Sequence, residues 1–109
     1  MRYNGSSPEV FGPPLWFVFH NAAAHYPEAA APIERERMKN ILIGMPSLLP
    51  CAECKEHATM HIERNRANLD TITAGRRNLV RFFVDFHNYV NKRKGKPLFT
   101  YEEAERLYG

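Results

Sequence analysis

Leu79-Val80-Arg81-Phe82-Phe83-Val84-Asp85-Phe86-His87-Asn88-Tyr89-Val90-Asn91-Lys92-Arg93-Lys94-Gly95-Lys96-Pro97 is the stretch on which the fold turns. Leu79, Phe82, Phe83, Phe86 and Val90 recur every three or four residues, so on a helix of 3.6 residues per turn they share one wide apolar face. Lys92, Arg93 and Lys94 suit the carbonyl end of such a helix, and Gly95 and Pro97 stop it. A face that broad has to be covered by other elements, and the rest of the chain offers helices.

Working outward, Gly12-Pro13-Pro14 opens a segment from Leu15 to Tyr26 that ends at Pro27, with Trp16, Phe19, Ala23 and Tyr26 on one stripe. Trp16 and His20 stand one turn apart on it. Pro32 starts a second helix, where Met38, Ile41, Leu42 and Met45 repeat opposite Glu34, Glu36 and Lys39 until Pro46 interrupts. A third begins around Pro50 and runs through His61 and Ile62; Arg64 to Asp70 reads as its frayed end and a polar loop, and Thr71 to Gly75 as a bridge. Thr100-Tyr101-Glu102-Glu103 is a capping box that starts a short helix through Leu107 or Tyr108. No repeat, low-complexity tract or strand-like run is present. The pattern predicts an all-α protein: a four-helix bundle with a short fifth helix at the C-terminus.

The chain of 109 residues, with 44% hydrophobic, 25% charged and 12% aromatic side chains, fits a single globular domain over 1–109. Two cysteines are too few for a disulfide-stapled secreted scaffold. No apolar run approaches the ~20 residues of a membrane span. Met1 to Pro8 is polar, without an apolar signal-peptide core, so export is not expected and residues 1–10 read as a flexible N-terminal segment. The cysteines therefore need an explanation suited to a reducing compartment such as the cytoplasm. A net charge of +3 suits a phosphate-bearing ligand but is too small to argue for nucleic acid.

The chemistry lies in Cys51-Ala52-Glu53-Cys54, placed after Pro50 at a helix N-terminus. Unpaired N–H groups and the helix dipole favour a thiolate there, and the spacing lets the pair close a small disulfide, the two properties of a dithiol redox centre. Glu53 and Glu56 oppose thiolate formation. Two other readings compete. Cys51, Cys54, His57 and His61 have the spacing of a zinc site, although one continuous helix cannot easily enclose a tetrahedral ion with them. The cysteines could also be buried and inert. Haem attachment is excluded, because Lys55 stands where a histidine is required. A zinc-binding helical adaptor and a cofactor-free thiol–disulfide carrier are the corresponding alternative functions. At the end of the fourth helix, His87 and Asn91 lie one turn apart, followed by Lys92, Lys94 and Lys96. This is a ring-and-amide surface leading to a phosphate-binding rim, or else a polar helix end with solvated bases.

Taken in order, Gly12-x3-Trp16-x3-His20, Tyr26-Pro27, Pro50-Cys51-x2-Cys54, and His87-Asn88-x-Val90-Asn91 with Gly95-Lys96-Pro97 resemble the ALR/Erv family of FAD-linked sulfhydryl oxidases. The likeness covers Phe11 to Tyr108, and the chain's shortness resembles members carried by large DNA viruses, which implies the host cytoplasm or the virion as its location. The resemblance implies FAD held non-covalently at the bundle mouth. Trp16 and His20 would pack on it, and Gly12 would allow close backbone approach. His87, Asn88, Val90 and Asn91 would line it from the fourth helix. Lys92, Lys94 or Lys96 would meet its phosphates, and Tyr108 would lie over the adenine. Cys54 would sit against the flavin and Cys51 would face substrate. Electrons would pass from dithiol partner proteins, possible small redox relays among them, through the cysteine pair and FAD to O2, yielding hydrogen peroxide, and a homodimer is implied. Leu49 stands where many relatives have tyrosine. A second cysteine pair that ties down the C-terminal helix in cellular relatives is absent, with Tyr101 near one of its positions. No shuttle cysteines are present, so substrate thiols would reach Cys51 directly.

Overall fold

A computed structural model describes residues 4–108. The described residues fold into six α-helices: α1 (Pro8–Ala24), α2 (Pro32–Gly44), α3 (Ala52–Arg64), α4 (Leu69–Ile72), α5 (Arg76–Arg93) and α6 (Tyr101–Tyr108), with 3-10 turns at Met45–Leu48 and Arg66–Asn68. No strand occurs among the described residues. None of the helices is long and apolar enough to cross a membrane. The expected four main helices and short fifth are present, and the single-turn α4 is additional.

The helix that decided the fold buries the face its spacing demanded: Leu79, Phe82, Phe83 and Phe86 are all core residues. α1 lies along it, with Trp16 edge-on to Phe86 at 5.2 Å and Phe19 stacked on Phe83 at 5.2 Å. From the other side α2, its 3-10 extension and α3 contribute Leu42, Met45 and Ile62, all but fully buried. α5 ends in a Schellman motif. Gly95 takes the left-handed conformation (φ 69°) that L side chains avoid, and the Lys96 and Gly95 N–H groups donate to the carbonyls of Asn91 (2.8 Å) and Lys92 (3.3 Å).

Several boundaries differ from the sequence reading. α1 starts at Pro8, with Ser7 as its N-cap residue, so residues 8–10 belong to the helix and not to a flexible lead-in; residues 1–3 lie outside the described residues. Pro13 and Pro14 sit inside α1 on an exposed face. There the two carbonyls they leave unbonded can be satisfied by solvent. α3 begins at Ala52, one turn-position after Cys51, and Pro46 converts the end of α2 into the Met45–Leu48 turn. The stretch read as frayed end and loop is ordered into the Arg66–Asn68 turn and α4 because Leu69 is pulled into the core and the Thr73 hydroxyl donates to the Leu69 carbonyl at 2.8 Å.

The α1–α2 connection is stitched to the start of α5. Tyr26 donates from its hydroxyl to the Thr73 carbonyl (2.7 Å), Ala30 N–H to Ala74 O (2.9 Å) and Arg76 N–H to Pro27 O (2.9 Å). Gly75 has no room for a side chain, since a Cβ there would run into the Glu28 carbonyl oxygen. At the other end the capping box forms as expected: Thr100 Oγ1 accepts from Glu103 N–H (3.1 Å), and Glu103 Oε1 accepts from Thr100 N–H (3.0 Å). α6 is held to α5 by the Tyr101 hydroxyl, which donates to Asp85 Oδ1 at 2.9 Å, and by the Arg81 guanidinium 4.9 Å above the Tyr101 ring.

Candidate active site

Leu49-Pro50-Cys51 is an extended link between the Met45–Leu48 turn and α3, as a residue before proline requires. It delivers Cys51 to the N-cap position of α3, where the Cys51 sulfur accepts the Cys54 N–H at 3.3 Å. Hydrogen bonds from the Cys54 thiol and N–H hold the Cys51 pKa below its ordinary value. Burial first, then the proximity of Cys51, push the Cys54 thiol up to about 11. Both cysteines are half-buried free thiols. The pair is thus divided into an acidic outer sulfur and a more deeply placed one that resists ionising.

Both sulfurs open into a cavity of about 590 Å³ between α1, α3 and α5, a size ordinary for a cofactor or drug-sized ligand. Its α1 wall is apolar, built from Phe11, Gly12, Leu15, Trp16 and Phe19; Met45 and Leu49 close the α2 end; Phe86 and Val90 form the α5 side. Charge enters at the rim, from Glu53 and His57 on α3 and from Arg93 and Lys94 at the end of α5. A Cβ on Gly12 would project into open space, so the bare backbone there leaves the cavity free for a flat ring. An isoalloxazine ring fits these walls, and the basic rim suits the phosphates that follow it.

Of the residues singled out in the sequence, Gly12, Trp16, Cys51, Cys54, Val90 and Lys94 come together around this cavity. His20, His87 and Tyr108 form an aromatic cluster behind Trp16. The Trp16 and His87 rings stack at 4.0 Å, His20 and Tyr108 at 4.1 Å, and His20 Nε2 lies 2.9 Å from His87 Nδ1 in a shared hydrogen bond. Burial lowers both imidazole pKa values to about 4, so the two are neutral at pH 7. His20 and Tyr108 also face a second cavity of about 690 Å³ between α1, α5 and α6.

The two asparagines do something else. The Asn88 amide donates to Phe99 O at 2.8 Å and accepts from Phe99 N–H at 2.7 Å, and the Asn91 amide donates to Pro97 O at 3.2 Å. Both side chains therefore brace the 96–99 segment against α5. Lys92 is exposed, and Lys96 pairs loosely with Glu9 at 3.9 Å across the start of α1.

Two rim residues, His57 (weighed in the sequence only as a zinc ligand) and Arg93 (only as part of the basic helix end), pair in a way the sequence does not indicate. Arg93 donates from Nη2 to His57 Nε2 at 2.6 Å and lies 5.7 Å from the Tyr89 ring. An arginine cannot accept, so Arg93 is the donor in this contact. Arg93 follows Val90, and His57 follows Cys54, at one-turn spacing, which was the available signal. His61 is turned into the core and stacks on Phe86 at 4.9 Å, where burial lowers its pKa. It is thus withdrawn from the spacing that suggested zinc. No group of three or more His, Cys, Asp or Glu side chains able to hold a metal ion occurs among the described residues.

The profile of the Erv1 / Alr family matches residues 13–108. The chain is similar to the putative FAD-linked sulfhydryl oxidase 096R of Invertebrate iridescent virus 3, at 42% identity over 93% of this chain and 67% of that protein. It is similar also to the putative FAD-linked sulfhydryl oxidase 347L of Invertebrate iridescent virus 6, at 33% identity over 93% of this chain and 94% of that protein. The fold superposes on the crystal structure of the yeast Erv1 core with a TM-score of 0.85 and 26% identity, covering 99% of this chain and 88% of the other.

Proposed function

Because the chain belongs to the Erv1 / Alr family, we propose that it is an FAD-dependent sulfhydryl oxidase that makes disulfides in dithiol partner proteins. The observation that carries this reading is the placement of Cys51 and Cys54 on the first turn of α3 at the mouth of a ring-sized apolar cavity.

The chemistry begins at Cys51, the more acidic and more outward sulfur of the pair. With Cys51 and Cys54 joined as a disulfide, a substrate thiolate attacks the Cys51 sulfur. The Cys51–Cys54 bond breaks, its electron pair leaves on Cys54, and a substrate–Cys51 disulfide forms. The substrate's second thiol, giving up its proton, attacks that mixed disulfide, so the substrate leaves oxidised and both enzyme cysteines are reduced. FAD, when bound, supplies the acceptor for that electron pair and passes it to O2, giving hydrogen peroxide. Gly12, Trp16, Val90 and Cys54, which line the cavity, would hold the flavin portion there. Tyr108 would offer a stacking surface for the adenine, with His20 stacked behind it and His87 behind Trp16, and Lys92 and Lys96 would offer charge to the phosphates. Asn88 and Asn91 contribute by fixing the 96–99 segment from which that charge is presented.

Phe17 and Val18 on α1 and Ile33 and Ile41 on α2 are large apolar side chains left mostly exposed. They support a homodimer through these two helices. The likeness to viral proteins supports the host cytoplasm or the virion as its place of work. Freshly purified protein is expected to be yellow and to consume O2 with a dithiol, and Cys51→Ser and Cys54→Ser are each expected to abolish turnover. A colourless protein, or full turnover in either variant, sinks the proposal.

A further inference from the structure

Attack on Cys51 expels Cys54 as a thiolate, and it does so into a poor place for a charge. The α1 wall facing the pair is entirely apolar, and so are Met45, Leu49, Phe86 and Val90. Among the described residues, and apart from the two cysteines, charged or titratable groups line this cavity only from two elements: Glu53 and His57 on α3, and Arg93 and Lys94 on α5. The Glu53 carboxylate repels a thiolate and works against both cysteines, although its backbone N–H favours the Cys51 thiolate. His57 Nε2 and Arg93 are engaged with each other, and Arg93 also lies beside the Tyr89 ring. Lys94 is different. It caps α5, lines the cavity with Cys54, and makes no ion pair or side-chain hydrogen bond among the described residues.

We propose that Lys94 is the electrostatic partner of the Cys54 thiolate, a cation that makes Cys54 a competent leaving group when a substrate thiol attacks Cys51. Bond-making and bond-breaking are confined to sulfur: one S–S bond forms between substrate and Cys51, the Cys51–Cys54 bond breaks, and its electron pair stays on Cys54 opposite the ammonium. The field is already felt in the dithiol, where Lys94 draws the Cys54 pKa down against burial, Cys51 and Glu53. Its backbone fixes this role. Lys94 is the C-cap residue of α5, the last before the left-handed Gly95 turns the chain away, so it stays on the cavity wall with Cys54 while Lys96 is carried to Glu9. The inference rests on the sulfhydryl oxidase reading only for what the leaving group is used for. It separates Lys94 from the phosphate-binding role that the resemblance implied for Lys92, Lys94 or Lys96.

The test uses the full chain with Cys51→Ser, so that Cys54 is the sole thiol. Alkylation of Cys54 by iodoacetamide is followed by intact mass as a function of pH, with Lys94, Lys94→Met and Lys94→Arg in turn, and the FAD dissociation constant is measured for each. Lys94→Met is expected to raise the alkylation midpoint by about half to one pH unit, a roughly three- to tenfold loss of reactivity at fixed pH. Lys94→Arg restores it, and FAD affinity changes by less than about twofold in both. An unchanged midpoint overturns the proposal, and an unchanged midpoint with a large loss of FAD affinity assigns Lys94 to the phosphates instead. Because alkylation needs neither turnover nor flavin reduction, these outcomes stand apart from a colourless or inactive protein, which would overturn the oxidase reading itself.

Discussion

Acid is expected to destabilise this fold well before its carboxylates protonate, and the His20–His87 pair sets the size of the effect. Both rings are buried, one nitrogen of each is spent on the other at 2.9 Å, and Trp16 and Tyr108 cover them by stacking. A proton on either ring has no solvent to hydrate it, and burial lowers each pKa from 6.5 to about 4. Between those values the unfolded chain binds protons that the folded chain refuses, so stability falls as pH falls through this window and the two imidazoles add no further loss below about 4. At pH 5 the linkage costs about 2 kcal/mol per histidine, hence about 3–4 kcal/mol for the pair. That is a large share of a typical domain stability of about 5–15 kcal/mol. Guanidinium unfolding of flavin-saturated protein at pH 7 and pH 5 measures it. A His20→Gln/His87→Gln variant, whose amides can still hydrogen-bond, should be weaker at pH 7 but lose most of the step to pH 5, keeping only the smaller contribution of His61. A wild-type loss below about 1 kcal/mol, or an equal loss in the double variant, would refute the assignment.

Asn88→Ala removes two hydrogen bonds to the Phe99 backbone, at 2.8 and 2.7 Å, and leaves those backbone groups without their partner. A loss of about 1–3 kcal/mol in urea unfolding is expected, accompanied by easier proteolysis ahead of α6; an unchanged midpoint refutes the bracing role. Gly75→Ala drives a methyl group into the Glu28 carbonyl, which belongs to backbone pinned by the Arg76 and Ala30 hydrogen bonds. It should cost about 2–3 kcal/mol in the same assay, where a mutant as stable as wild type would show that the loop can yield.

Much of this was legible in the sequence where a local rule and the tertiary structure agree. The α5 face, the Pro32 start of α2, the Thr100–Glu103 capping box and the cysteine pair at a helix N-terminus each depend on neighbours within one or two turns. The start of α1 was misplaced because Pro13-Pro14 looks like an opener, whereas the helix runs through both prolines on an exposed face. α4 carries too few residues to show a period and exists because Leu69 is buried. The site was read as a set of motif positions, and only the fold shows which way each side chain turns. The bracing amides of Asn88 and Asn91 depend on an irregular 96–99 segment, and the Arg93–His57 contact joins residues 36 apart in sequence. Leu49, noted in sequence only as a departure from the family, proves to be buried at the cavity wall.

The most direct measurement of the central claim is anaerobic titration of the flavin-loaded protein with a dithiol, followed by the visible flavin absorption. Wild-type protein should bleach with one dithiol per flavin and recover its colour, with release of hydrogen peroxide, when O2 is admitted. Cys54→Ser should keep its colour under the same titration. Bleaching of Cys54→Ser at the wild-type rate would show that electrons reach the flavin without the Cys51–Cys54 pair, contradicting the dithiol relay.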